Sequence, residues 1–163
     1  MRNATNSKAL HYQQTLAHYG LQKQVVEFPE GTRTAVDAAS AIGCTLAQIV
    51  KSLVFRTAQT GRAVLVLTSG INRVDEGLIS KLLGEALGKA DAAFVRESTG
   101  YAIGGVPPIG HAKELPLFID EDLFLHTAIW AAAGTPNAVF ELTPDELLTA
   151  TQGIVKKVQS GEK

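Results

Sequence analysis

Cysteine is almost absent from this chain. Cys44 is the only one, which excludes an internal disulfide and any cysteine-cluster metal site. No charge sign dominates: 15 Lys and Arg against 16 Asp and Glu leave a net charge of −1, so no global basic field advertises nucleic acid. No apolar run approaches the roughly 20 residues that span a bilayer; the longest, over 128–134, is short and alanine-rich. The first 18 residues lack the apolar centre of a secretory signal. A reducing, cytoplasmic setting without membrane contact is therefore expected. Internal repeats and low-complexity tracts are missing as well. What remains is ordinary globular chemistry: 163 residues, 45% hydrophobic and 19% charged, with 15 glycines and 6 prolines. That length predicts one domain over 1–163, with its core at about 24–151.

Periodicity predicts a helix over 7–19 ended by Gly20, then a short strand over 25–28 stopped by Pro29. Thr34 is placed to cap a helix through Ile42, with Val36, Ala39 and Ile42 on one side and Gly43 closing it. Two β-rich runs, 50–57 and 62–68, flank a four-residue turn and read as a hairpin. A helix is expected over 75–87 with Gly88 after it, and a strand over 93–95. A Gly/Pro-rich loop follows over 100–110. Strands are expected at 117–119, 128–130 and 139–142. Thr143-Pro144-Asp145-Glu146 forms a capping box with proline at the first helical position, predicting a helix over 144–150. The tail beyond Gly153 is expected to fray, and Trp130 to lie in the core. Strands and helices mix without strict alternation, which favours an α+β domain.

The chain contains no GxxxxGK[ST] loop, no HExxH and no GxSxG elbow. Its four histidines, His11, His18, His111 and His126, are scattered, so no metal site is expected. Two segments stand out. Lys51 lies inside the apolar run Ile49-Val50-Lys51-Ser52-Leu53-Val54-Phe55. A lysine there needs a partner for its ammonium or an opening to solvent, and strand alternation alone could supply the opening. The second segment, 100–111, holds Gly104-Gly105 followed by Pro107-Pro108. Such a loop either makes a plain turn or brings backbone N–H groups close to an anion.

Taken together, Gly43 through Phe55, Ser98-Thr99-Gly100-Tyr101 and Gly104-Gly105-Val106-Pro107-Pro108-Ile109-Gly110 resemble the YbaK/ProX-type aminoacyl-tRNA editing domain. This is the free-standing relative of the insertion domain of bacterial prolyl-tRNA synthetase. The likeness continues through Phe118-Ile119-Asp120 and from Gly134 to Leu148, so it covers about 24–151. It implies a single domain with a mixed, barrel-like β-sheet flanked by helices, and hydrolysis of a mischarged aminoacyl-tRNA without a cofactor. The family lysine falls on Lys51 and its GxxxP loop on Gly104 to Pro108; in the family both line the pocket for the terminal adenosine and its amino acid. Lys51, Gly104 and Gly105 are thus the expected catalytic set. Phe28, Ser52, Pro108, Ile109, Gly110, His111, Thr135 and Asn137 are the expected substrate-binding residues. Where some relatives carry an aspartate, this chain has Val139, which implies a more apolar wall.

An aminoacyl ester is already activated, so hydrolysis needs a placed water and donors aimed at the oxyanion. Backbone amides around Gly104, Gly105, Ile109 or Gly110 are the candidates, with Lys51 anchoring phosphate, carbonyl or ribose. The base is either the substrate's own ribose hydroxyl or amino group, as the family implies, or His111. The expected substrate is tRNA(Pro) carrying a small aliphatic or hydroxy amino acid. A proline-sized pocket discriminates a missing methylene by only about 1–3 kcal/mol, which is what creates the need for editing. The expected partners are the acceptor end of the charged tRNA, with delivery aided by prolyl-tRNA synthetase or an elongation factor; neither DNA nor membrane is expected. Two other readings share the fold: a silent aminoacyl-tRNA or nucleotide binding module, and a protein-interaction domain.

Overall fold

Local signals decide most of the elements in the computed structural model, which describes residues 1–28 and 34–160. β1 (Arg2–Asn3) leads into α1 (Ser7–His18), whose Asn6 side chain accepts from the Lys8 and Ala9 N–H groups. β2 (Val26–Glu27) is only two residues long, and its expected stop at Pro29 lies outside the described residues. α2 (Ala35–Ile42) has the complete Thr34/Asp37 capping box and ends on Gly43 at φ 84°. Ala39 is its buried residue, whereas Val36 is 62% exposed, contrary to the side chosen from spacing. A 3₁₀ turn, Leu46–Gln48, leads into the hairpin of β3 (Val50–Thr57) and β4 (Ala63–Ser69).

Two elements differ from the sequence reading. α3 (Glu76–Leu83) stops at Gly84, at φ 83°, and Leu87–Lys89 forms β5 instead of a last helical turn. Pairing of Leu87 with Thr57 outweighs the local helical spacing there. The run expected as a strand at 93–95 lies in α4 (Ala92–Thr99). Asp91 caps it through the Phe94 N–H at 2.8 Å, and Gly100 closes it at φ 84°. Three apolar residues cannot separate a strand from a buried helix by period alone. β6 (Leu117–Asp120), β7 (Ile129–Ala132), β8 (Ala138–Leu142) and α5 (Pro144–Thr151) follow as expected. The chain then adds β9 (Ile154–Lys156) where a frayed tail was expected. β9 pairs parallel with β6, and the Asp75 N–H donates to the Val158 carbonyl at 2.7 Å.

The strands form two sheets, β1-β2-β8-β7 and the mixed β5-β3-β4-β6-β9. They meet at one parallel bridge, Ile49 to Trp130, and diverge beyond it. β4 is buried on both faces. Leu65 and Leu67 enter the main core with Tyr12, Leu16, Ile119 and Phe140, while Val64 and Val66 pack with Ile79 and Phe118. Such burial contributes about 1.5–3 kcal/mol per large aliphatic or aromatic side chain. Tyr12 ties α1 to the Gly/Pro loop: its hydroxyl donates to the Ile109 carbonyl at 2.8 Å, and its ring meets Tyr101 edge-on at 6.0 Å.

Candidate functional site

The divergence of the two sheets opens a pocket of about 360 Å³, within the range of small-ligand sites. One wall is Val50 to Leu53 of β3 and the opposite wall is Trp130 to Ala132 of β7. The Ile103–Gly104 end of the Gly/Pro loop and Pro136 close one side, and Phe28, Ala138 and Val139 form another.

The backbone of β3 is exposed to this opening by its register. The Ile49 carbonyl accepts from the Gly70 N–H at 2.8 Å, and the Thr57 N–H donates to the Arg62 carbonyl at 2.8 Å. Odd-numbered residues therefore direct their main chain to β4, and the even-numbered ones direct theirs away. On that second side β5 covers only Phe55 to Thr57 and β7 bridges only at Ile49. Ser52 consequently presents its ladder groups where no strand pairs with β3 among the described residues.

Lys51 extends from this strand into a polar cluster at the C-terminal ends of β4 and β6. Its ammonium donates to the Asn72 carbonyl at 2.8 Å. The Asn72 side-chain amide donates to Asp120 at 2.8 Å and to Asp122 at 2.7 Å. Asp120 also accepts from the Thr68 hydroxyl and the Ser69 N–H, each at 3.0 Å. Burial lowers the Lys51 pKa below its ordinary 10.5, and the charge of Asp120 partly restores it. The pocket thus has one ammonium fixed to a carbonyl at an otherwise largely apolar cleft.

The residues expected from sequence divide among three hollows. Lys51, Ser52, Gly104 and Phe28 line the pocket between the sheets. Thr135 and Asn137 line an adjoining groove of about 660 Å³, which shares Phe28 with the pocket and also holds Arg2 and Glu27. Pro108, Ile109, Gly110 and His111 line neither; they border a third groove, with Tyr19 and Lys113. The structure does not bring those four together with Lys51 in one hollow: the Tyr12–Ile109 bond holds this part of the loop on α1. His111 Nε2 lies 2.6 Å from the Pro107 carbonyl, and burial lowers its pKa. A ring nitrogen held on a carbonyl outside the pocket is not placed to take a proton from a water inside it.

Gly105 does not line the pocket either. Its N–H donates to the Ala102 carbonyl at 3.0 Å, so that amide is not free for an oxyanion. A Cβ there would stand 2.9 Å from Thr135 Cα, so the glycine permits close approach of two backbone segments. Gly104, at φ 91° and on the pocket's rim, is exposed. Sequence reasoning missed Trp130, expected in the core but half-buried on the pocket wall, and the Asn72–Asp120 cluster behind Lys51. No sequence signal marks Asn72, because its partners, Lys51 and the Asp120 and Asp122 side chains, are distant from it in the chain. Among the described residues no three His, Cys, Asp or Glu side chains are grouped to hold a metal ion, and no helix is long and apolar enough to cross a membrane.

Fold and pocket define an α+β domain that presents a lysine beside a small cleft between two sheets. The sequence profile of the aminoacyl-tRNA editing domain matches residues 29–150, and the chain belongs to that family. It is 32% identical over 126 residues to "Uncharacterized protein YwhH" of Bacillus subtilis (strain 168), covering 77% of this chain and 80% of that one. It is 29% identical over 132 residues to the "Putative Cys-tRNA(Pro)/Cys-tRNA(Cys) deacylase EbsC" of Enterococcus faecalis, covering 79% of each. A crystal structure of "a putative trans-editing enzyme for prolyl tRNA synthetase" superimposes with a TM-score of 0.91 at 46% identity, over 97% of this chain and 100% of that one.

Proposed function

We propose that this chain is a trans-editing deacylase that hydrolyses the ester of a mischarged tRNA, tRNA(Pro) carrying a small amino acid. The observation that carries the reading is the convergence of Lys51 and Gly104 on one cleft in a chain of the editing-domain family. The cleft takes the 3′ end of the charged tRNA. Lys51, its ammonium oriented by the Asn72 carbonyl, anchors the substrate electrostatically. The Gly104 amide and the open edge of β3 at Ser52 supply N–H groups for the developing oxyanion. Water adds to the carbonyl carbon, the ester C–O bond breaks, and the leaving ribose oxygen takes a proton. With His111 held on Pro107, the substrate's own ribose hydroxyl or amino group acts as the base. The walls formed by Ala131, Ala132, Val139 and Trp130 offer apolar contact to the 3′ end of the substrate. We assign the activity to the cytoplasm, with prolyl-tRNA synthetase or an elongation factor delivering the substrate.

The test is release of amino acid from mischarged tRNA(Pro) by purified protein. Lys51→Ala is expected to slow release by about a hundredfold or more, with unchanged far-UV circular dichroism. Because burial lowers the Lys51 pKa, the ammonium is lost at a lower pH than for an ordinary lysine. The wild-type rate is therefore expected to fall on the alkaline side, starting below pH 10.5. Binding of charged tRNA without any release would make this a silent binding module instead.

A further inference from the structure

Beside the pocket lies a recess of about 180 Å³, and the two hollows share Ser52, Leu53, Ile103, Gly104 and Val106. The recess runs on over Val54 and Phe55 of β3 and reaches Val95 of α4. Of the residues that line it, Ser52 alone carries a hydrogen-bonding side chain. The Ser52 hydroxyl is buried, and it is the one buried side-chain polar atom without a partner among the described residues. Folded proteins satisfy nearly all such groups, so an unmet hydroxyl beside an apolar hollow calls for an explanation. Strand geometry supplies the first half of it. Ser52 shares its face of β3 with Val50 and Val54, both packed in or against the main apolar core, so no neighbour on that face can answer it. The position of Ser52 supplies the second half: the residue lines both hollows, so a group seated there lies next to it.

We propose that Ser52 selects the amino acid. The side chain of the esterified residue enters the recess, the apolar walls take its carbon atoms, and the Ser52 hydroxyl exchanges a hydrogen bond with a hydroxyl on it. This rests on the editing reading above and narrows its substrate class to small β-hydroxy amino acids, serine and threonine. A site built to hydrogen-bond a substrate hydroxyl rejects the isostere that lacks it far more strongly than an apolar site distinguishes a methylene.

Isosteric pairs provide the test, since volume is then constant: threonine against valine, and serine against 2-aminobutyrate, each esterified to tRNA(Pro). Wild type is expected to release the hydroxyl member of each pair at least about tenfold faster. Ser52→Ala is expected to lower both ratios by about ten- to a hundredfold, and Ser52→Thr to retain the preference. Since Ser52→Ala removes no hydrogen bond, its melting temperature is expected to be equal or higher, and the ratio is internal to each protein. Ratios that Ser52→Ala leaves unchanged, or a wild type preferring the alkyl members, would overturn this assignment and leave the editing reading standing. Release of alanine but of none of these four would overturn this assignment alone, and release of no small amino acid at all, alanine included, would overturn both.

Discussion

Asp120 is 1% exposed and gathers donors from three parts of the chain. The Thr68 hydroxyl, the Ser69 N–H and the Asn72 amide bond one of its oxygens, and the Asp122 N–H bonds the other at 2.9 Å. Removing it orphans several buried donors at once. Asp120→Ala is expected to destabilise the fold by about 3 kcal/mol or more, read as a lower urea midpoint at unchanged m-value. Asp120→Asn keeps the shape and removes the charge that raises the Lys51 pKa. The alkaline fall in deacylation is then expected to move to lower pH, a shift that a purely structural role would not produce. At this scale Lys51 stood out in the sequence because a lysine in an apolar strand needs either a partner or an opening to solvent. The partner was not legible: Asn72 offers its main-chain carbonyl, and every residue has one.

Hairpins and helices were legible where turn and cap chemistry is local. Thr34, Thr143 and Gly43 mark their helix ends as the sequence predicts. The β3–β4 turn shows the limit of that local reading. Glu85, from the segment after α3, accepts from the Gln59 and Thr60 N–H groups at 3.0 Å each and from the Thr60 hydroxyl at 2.9 Å. These bonds, led by that of the Thr60 amide, lower its pKa from 4.5 to about 2. A depressed carboxylate stabilises the fold fully above the unfolded value and loses that contribution as pH falls toward the folded one. Glu85→Gln is therefore expected to flatten the loss of thermal stability between pH 4.5 and about 2, measured as melting temperature against pH. The strand β5 and the early stop of α3 were missed for a related reason. A three-residue edge strand has no period to detect, and it forms because β3 offers it a ladder.

At the scale of the whole molecule the C-terminal segment is a structural part of the sheet. β9 extends it beyond β6, Val158 is fully buried, and Gln159 is 8% exposed. Deleting residues 154–163 strips a parallel edge and opens the small core around Ile79 and Phe118. The shortened chain is expected to unfold at lower denaturant by about 3 kcal/mol or more, checked by urea titration. The sequence by itself determined the α+β class, most helix and hairpin boundaries, and the lysine strand, because caps, turns and alternation act between residues close in the chain. Only the tertiary structure decided which side of the Gly/Pro loop faces the pocket. It also made Trp130 a wall, set Asn72 and Asp120 behind Lys51, and left Ser52 without a partner. Those outcomes depend on how two sheets diverge from one bridge, and no stretch of neighbouring residues encodes that angle.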